Sequence, residues 1–303
     1  MSALSQQQVA IVGLGLMGGS MALALRSSVG KLIGVDPDKR TLAYAQEQGI
    51  IDAGTTDLQN GVKDAQTVIL AAPVQRILDM LQNRIGGYLR SNTLLIDLGS
   101  TKAEICAAMG RLPIGVLAMG GHPMCGKERS GIEAADPHLY DGRPFVLCPP
   151  RRATPAARLR ALELVQAINA VAIEMDAARH DRLVAGISHL PYLLSAALVR
   201  TVAGEAEFDP RVWELAAGGF RDTSRLAASD VTVMLDILST NTAAVARLLA
   251  LFRMQLAALE VALIAQDDAQ LRAILGNVQE VRREWAKKHP IGCFFAHSRR
   301  TSW

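Results

Sequence analysis

The sequence predicts an α/β fold: an N-terminal Rossmann-type, doubly wound and mostly parallel sheet followed by an all-helical C-terminal domain. Three observations carry this. Over the first 150 or so residues, short β-branched runs alternate with amphipathic segments, the rhythm of strand-helix-strand units. The first of these runs passes straight into a glycine-rich turn. Beyond Asp176 the strand signals stop, and an Ala/Leu-rich helical period continues from Ala178 to Trp285. A chain of 303 residues is long enough for two domains, and the boundary is expected at 176, dividing it into 1–176 and 177–303.

Taken in order, strands are expected at Val9–Val12, Lys31–Val35, Thr67–Ala71, Thr93–Asp97, Val116–Met119 and Phe145–Leu147. Pro149-Pro150-Arg151-Arg152 then leads into a helix near Pro155–Ile168 and a last strand at Val171–Met175. In the helical half Pro191, Pro210 and Gly218-Gly219 punctuate the pattern. The most apolar stretch, Val245–Ile264, is broken by Arg247, Arg253 and Glu260 and reads as a buried or interfacial helix. The tail after Pro290 predicts no element.

Composition narrows the function classes. Half the residues are apolar, 20% are charged and only 4% aromatic, which suits helices packed on a sheet. A net charge of +3 is too mild for a nucleic-acid binder, and the basic pairs Arg282-Arg283 and Lys287-Lys288 are short. Cys106, Cys125, Cys148 and Cys293 have neither disulfide-framework nor zinc spacing, so no metal and a reduced, cytoplasmic setting are expected. The polar stretch Met1–Gln8 does not read as a signal peptide, and no charge-free apolar run reaches 18 residues, so no membrane partner is expected.

The strongest local signal is the run from Val9 into Gly13, Gly15, Leu16, Met17 and Gly18, a strand entering a Gly-x-Gly-x-x-Gly turn that opens a helix. Gly13 permits the tight turn, Gly15 admits a pyrophosphate to the backbone, and Gly18 lets helix and strand pack closely. The second strand ends in Asp36, about 20 residues beyond Gly15, where a carboxylate binds ribose hydroxyls and repels a 2′-phosphate. NAD is therefore the expected cofactor, ahead of NADP or a flavin.

Asp97-Leu-Gly-Ser100-Thr101-Lys102 should lie at the carboxyl edge of the sheet, where doubly wound folds bind ligands, although Ser100 or Thr101 could equally be a helix cap. Gly120-Gly-His122-Pro-Met-Cys-Gly126 is expected just past a strand, with the imidazole on a rigid loop near the same edge. In Ser188-His189-Leu-Pro191-Tyr192, a plain helix puts Ser188, Tyr192 and Ser195 on one face. In Gly218-Gly-Phe-Arg-Asp222-Thr223-Ser-Arg225, the glycine pair is expected to end one helix and Asp222 or Thr223 to cap the next. Arg225 then falls in the first turn, as half of an anion site.

His-Pro-Met-Cys-Gly at 122–126, Ser-His-Leu-Pro at 188–191 and Gly-Phe-Arg-Asp-Thr-Ser-Arg at 219–225, in this order behind the fingerprint, resemble the prephenate/arogenate dehydrogenase family. The likeness runs from about residue 8 to 285. It implies NAD-dependent oxidative decarboxylation of prephenate or arogenate in tyrosine biosynthesis, by a homodimer joined through its helical domains, with the active site between domains. It makes His122 the base that accepts the C4 hydroxyl proton as hydride leaves C4. Ser100 becomes the serine that orients that histidine, and Arg225 the binder of a substrate carboxylate. Glu128 becomes an acidic gate residue, and Ser188, His189 and Tyr192 the pocket-lining helix. Neutral imidazole takes a hydroxyl proton at pH 7, and aromatisation drives loss of CO₂ without a metal.

Tyr192 departs from the His-Leu-Pro-His of several prephenate-specific members, which leaves the choice of substrate open; Cys125 and Lys127 depart from the commoner Ala-Gly-Thr. Neither a regulatory domain after the last helix nor a fused mutase before the first strand is expected. Two rivals are weaker. A β-hydroxyacid dehydrogenase shares the glycine turn and the Asp97–Thr101 pattern but needs a lysine in its second domain, and residues 177–285 contain none. A non-catalytic NAD sensor would not need His122, Ser100 and Arg225 together.

Overall fold

The computed structural model describes residues 3–127 and 129–289. The described strands form one sheet in the order β3-β2-β1-β4-β5-β6-β7-β8. They are β1 Gln8–Val12, β2 Lys31–Val35, β3 Ala53–Thr55, β4 Thr67–Leu70, β5 Leu94–Asp97, β6 Leu117–Pro123, β7 Pro144–Cys148 and β8 Val171–Glu174. All neighbouring pairs are parallel except β6 with β7. Helices α1 Leu16–Leu25, α2 Lys39–Glu47, α3 Leu58–Val62, α4 Val74–Asn83, α5 Ala103–Met109 and α6 Pro155–Ala167 complete this part.

Central strands of a parallel sheet are covered on both faces and read as unbroken apolar runs. Val9, Ile11, Ile69 and Ile96 enter one core with Met21 and Leu25 of α1, while Ala10, Val68, Leu70 and Leu95 enter the other with Ile77 of α4 and Ile105 of α5. Truncating a fully buried member such as Ile11 or Ile69 to alanine would cost about 2–5 kcal/mol. Because the chain runs outward from β1 in both directions, through β2 on one side and β4 on the other, the carboxyl ends of β1 and β4 flank the crevice where such sheets hold ligands.

The helical part begins with α7 Ala177–Val184, continues without a break through a π-helical turn at Ala185–His189, and runs on as α8 Leu190–Phe208. Then come α9 Gly218–Ser224, α10 Val231–Thr240, α11 Thr242–Ile264 and α12 Asp268–Lys288. Ala177–Phe208 is, by length and composition alone, long and apolar enough to cross a membrane; it nevertheless buries His180, Asp181, His189 and Ser195. The chain divides into two compact units, Met1–Thr242 and Ala243–Trp303. Every site residue discussed below lies in the first.

Four readings of the sequence change. The short, glycine-containing β3 gave no strand signal. β6 does not stop at Met119 but runs on to Pro123, so His122 sits on the strand, opposite Val146 of β7, and not on a loop beyond it. Gly218-Gly219 open α9, with Ala217 as N-cap, because extended backbone precedes them; Arg225 therefore follows the last turn of α9, where a cation complements the helix dipole. Of the two readings of Val245–Ile264, buried or interfacial, the first is dropped, because Leu251, Met254, Leu256, Val261 and Leu263 are exposed on α11.

Candidate active site

The glycine turn is built as nucleotide turns require. Gly13 has φ 93°, donates its N–H to Val35 O at 2.8 Å, and leaves no room for a side chain, since a Cβ would lie 2.4 Å from Ala71 O. A Cβ on Gly18 would fall 1.8 Å from Gly13 O, so α1 packs against the turn only with glycine there. Around Gly15, by contrast, nothing lies within 4 Å of the Cβ position, and α1 starts from it without a side-chain cap. The first-turn amides, those of Leu16 and Met17 included, are left without a side-chain cap, the donors a diphosphate at a helix N-terminus would take. Tyr140 Oη, donating to Met17 O at 2.7 Å, holds this turn from the far side.

Asp36 follows β2 directly and is half-buried. Its Oδ2 accepts from Leu14 N at 2.8 Å and its Oδ1 from Asp38 N at 2.9 Å. The carboxylate thus braces the glycine turn while each oxygen retains acceptor capacity for a ribose hydroxyl. These residues fit NAD.

On the neighbouring part of the carboxyl edge, His122 is fixed from several sides. The wholly buried Lys102 donates to Asp97 Oδ2 and to Gly121 O, the latter at 2.7 Å. Asp97 in turn accepts from Gly121 N at 3.0 Å and Gly99 N at 2.8 Å. Both backbone polar groups of the residue before His122 are therefore pinned by one buried ion pair. The half-buried imidazole itself meets His180 of α7, with Nδ1 2.8 Å from His180 Nε2. His180 Nδ1 lies 2.8 Å from Asp181 Oδ1. Asp181 also accepts from Lys102 N at 2.7 Å and Ala103 N at 2.8 Å. Ser100 and Thr101 accordingly do not cap α5; the carboxylate of Asp181 does so from another helix, and Thr101 Oγ1 instead meets Thr240 Oγ1 at 2.8 Å.

Burial, then the neighbouring His180, Lys102 and His189, hold His122 well below the usual imidazole range. It is therefore neutral at pH 7. His189 is buried on the π turn, and burial with His180 outweighs the attraction of Asp181 to push it down to about 4. The amide of Asn241 links them: its Nδ2 donates to Asp181 O at 2.7 Å and lies 3.2 Å from His189 Nδ1.

Among the other predicted residues, Ser100 is half-buried just beyond β5, and the recorded partner of His122 is His180 in its stead. Ser188 is exposed, Tyr192 half-buried and Ser195 buried, donating to Thr223 O at 2.6 Å. The π turn shifts the register that a plain helix would have given. Arg225 is exposed after α9, and Asp222 pairs at 3.1 Å with Arg221. Glu128 lies outside the described residues. Lys127 bonds Asp136 at 2.8 Å, while Asp136 N donates to Ser20 Oγ at 2.9 Å, tethering the segment after β6 to α1. Burial raises the Cys125 thiol to about 11, so it carries no thiolate.

Comparison with known proteins decides the family. The model for "Prephenate dehydrogenase, nucleotide-binding domain" matches residues 21–174, and that for "Prephenate dehydrogenase, dimerization domain" matches 176–277. The chain belongs to the prephenate dehydrogenase family. It is 36% identical over 236 residues to prephenate dehydrogenase of Bacillus subtilis (strain 168), covering 77% of this chain and 64%, just under two thirds, of that relative. The crystal structure of prephenate dehydrogenase from A. aeolicus in complex with hydroxyphenyl propionate and NAD+ superposes with a TM-score of 0.86 at 29% identity, covering 93% of this chain and 99% of that one. Synechocystis arogenate dehydrogenase superposes at 0.78 with 30% identity, covering 92% and 99%.

Within this prephenate dehydrogenase family member, four residues around His122 escaped the sequence reading: Lys102, His180, Asp181 and Asn241. Only adjacent His180-Asp181, near the start of the long helix, was a usable signal. His180 and His189 stand nine apart, which in an α-helix puts them on opposite faces. The one-residue offset of the π turn turns both toward one cluster, where His180 meets Asp181 directly and His189 is joined to it through Asn241.

Proposed function

We propose that this protein oxidatively decarboxylates prephenate or arogenate with NAD, as its family membership and His122 together support. The carrying observation is His122, a neutral imidazole held on β6 at the carboxyl edge that also carries the glycine turn. Bound NAD supplies the hydride acceptor. The chain's own part is to hold the substrate's C4 hydroxyl at His122, which takes its proton as C4 is oxidised. Cleavage of the ring's carboxylate bond then releases CO₂, its electron pair completes the aromatic ring, and the proton returns to the phenol oxygen.

In this reading Gly13, Gly15, Leu16, Met17, Gly18 and Asp36 bind NAD. Arg225 pairs with a substrate carboxylate, Ser100 orients the C4 hydroxyl beside His122, Ser188, His189 and Tyr192 line the pocket, and Glu128 acts as the acidic gate residue. Residues 1–176 serve as nucleotide domain and 177–303 as substrate and dimerisation domain, with the exposed apolar residues of α11 the support for a homodimer. A cytoplasmic enzyme without nucleic-acid or membrane partners completes it: the polar groups buried along Ala177–Phe208 suit a helix packed in protein better than one facing lipid.

The test is reduced-cofactor absorbance at 340 nm with prephenate or arogenate against NAD or NADP. Turnover with either substrate and NAD is expected, and the ratio of kcat/KM values assigns the meaning of Tyr192. Silence in all four combinations would overturn the proposal.

A further inference from the structure

We infer that His180 and Asp181 are positioning residues that set the tautomer of His122, leaving its Nε2 as the proton-accepting nitrogen. The argument rests on the reading of His122 as the base and proceeds from the inside outward. Asp181 receives two backbone N–H donors, from Lys102 and Ala103, besides facing His180 Nδ1. With two backbone N–H groups donating to it, this carboxyl acts as the acceptor, so His180 Nδ1 carries the hydrogen between them. In a neutral imidazole the other nitrogen is then a lone pair, and His180 Nε2 accepts from His122 Nδ1–H across 2.8 Å.

His122 Nε2 is left as the lone pair. Among the described residues no buried side-chain nitrogen or oxygen lacks a hydrogen bond, so this unbonded Nε2 reaches the molecular surface. Burial keeps His122 neutral at pH 7, so that one tautomer is defined. The same chain serves the protonated state. When Nε2 takes a proton, His122 Nδ1–H still donates to His180, and the new charge is felt by Asp181 through one ring. No further group needs to move, which is the condition for electrostatic stabilisation without reorganisation.

The test has two arms on the full-length protein with NAD bound. Long-range ¹H–¹⁵N correlation spectra of histidine-labelled protein at pH 7 should show His122 protonated on Nδ1 and bare on Nε2, assigned by its loss in His122→Asn. The opposite tautomer would overturn the inference whatever the activity. In the second arm His180→Phe should lower kcat about 100-fold or more, with KM for substrate and NAD within about threefold. His180→Gln, whose amide oxygen can accept from Nδ1–H, should recover about tenfold of that loss. Asp181→Asn should reverse the tautomer and cost on the order of 10³-fold. A His180→Phe enzyme that binds NAD normally and keeps kcat within threefold would refute the positioning role. Full activity of His122→Asn would instead refute the base on which it rests.

Discussion

The nucleotide turn and the histidine cluster share one sheet edge but are put together differently. The turn is built mostly within residues 9–36, where Gly18 answers to Gly13 five residues back and Gly13 donates to Val35 on the neighbouring strand; Ala71, just past β4, is the distant backbone that closes on Gly13. The cluster draws on five separated segments: Asp97–Lys102, Gly121-His122, His180-Asp181, His189 and Thr240-Asn241. A local device survives on chain geometry. A device assembled from five segments needs buried charges and hydrogen bonds to hold its parts in register, and its sensitivity to substitution should differ accordingly.

The largest effect expected from that difference is on stability. Lys102→Met removes the cation from a fully buried pair and leaves Asp97 uncompensated, which should cost about 3–5 kcal/mol in the urea-unfolding free energy. A loss below about 1 kcal/mol would mean that the cluster does not depend on its ion pair. Next comes Arg225→Ala, which should raise substrate KM about 10- to 100-fold through one lost charge-assisted contact, leaving NAD affinity unchanged. An unchanged KM for both prephenate and arogenate would remove Arg225 from the site.

Acid should separate the two regions further. His122 and His189 lie below their unfolded value near 6.5, so between that pH and about 4 the unfolded chain takes up protons that the folded chain refuses. Their contribution is fully present above pH 6.5 and is lost as pH falls, by up to about 1.4 kcal/mol per pH unit for each histidine. Melting temperatures from pH 7 to 4.5 should fall in the parent and fall less in His189→Gln. The smallest effect belongs to the turn: Asp36→Ser should weaken the preference for NAD over NADP by about tenfold, read from the two kcat/KM values. A parent that already prefers NADP would contradict the ribose role of Asp36.

The same contrast explains what was legible in the sequence. The glycine turn and Asp36 followed from patterns within one strand-helix-strand stretch. His122 could be placed at the edge, though not on β6, because the two glycines before it hid a strand whose packing tolerates no side chain: a Cβ on Gly121 would lie 2.4 Å from Asp97 O. Lys102 looked like an ordinary polar residue ahead of a helix, and only the distant Gly121 carbonyl gives it its role. Asp181 caps α5 from a helix 78 residues further on, which no local capping rule detects. The π turn at Ala185–His189 has no compositional signature, so the helix face carrying Ser188, Tyr192 and Ser195 was drawn in the wrong register.

The measurement that bears most directly on the chemistry is kcat of His122→Asn beside the parent, with NAD binding followed by fluorescence in both. A fall of about 10²- to 10⁴-fold in kcat with unchanged NAD affinity is expected, because only proton acceptance in the transition state is lost. A kcat near the parental value would show that some other group takes the hydroxyl proton.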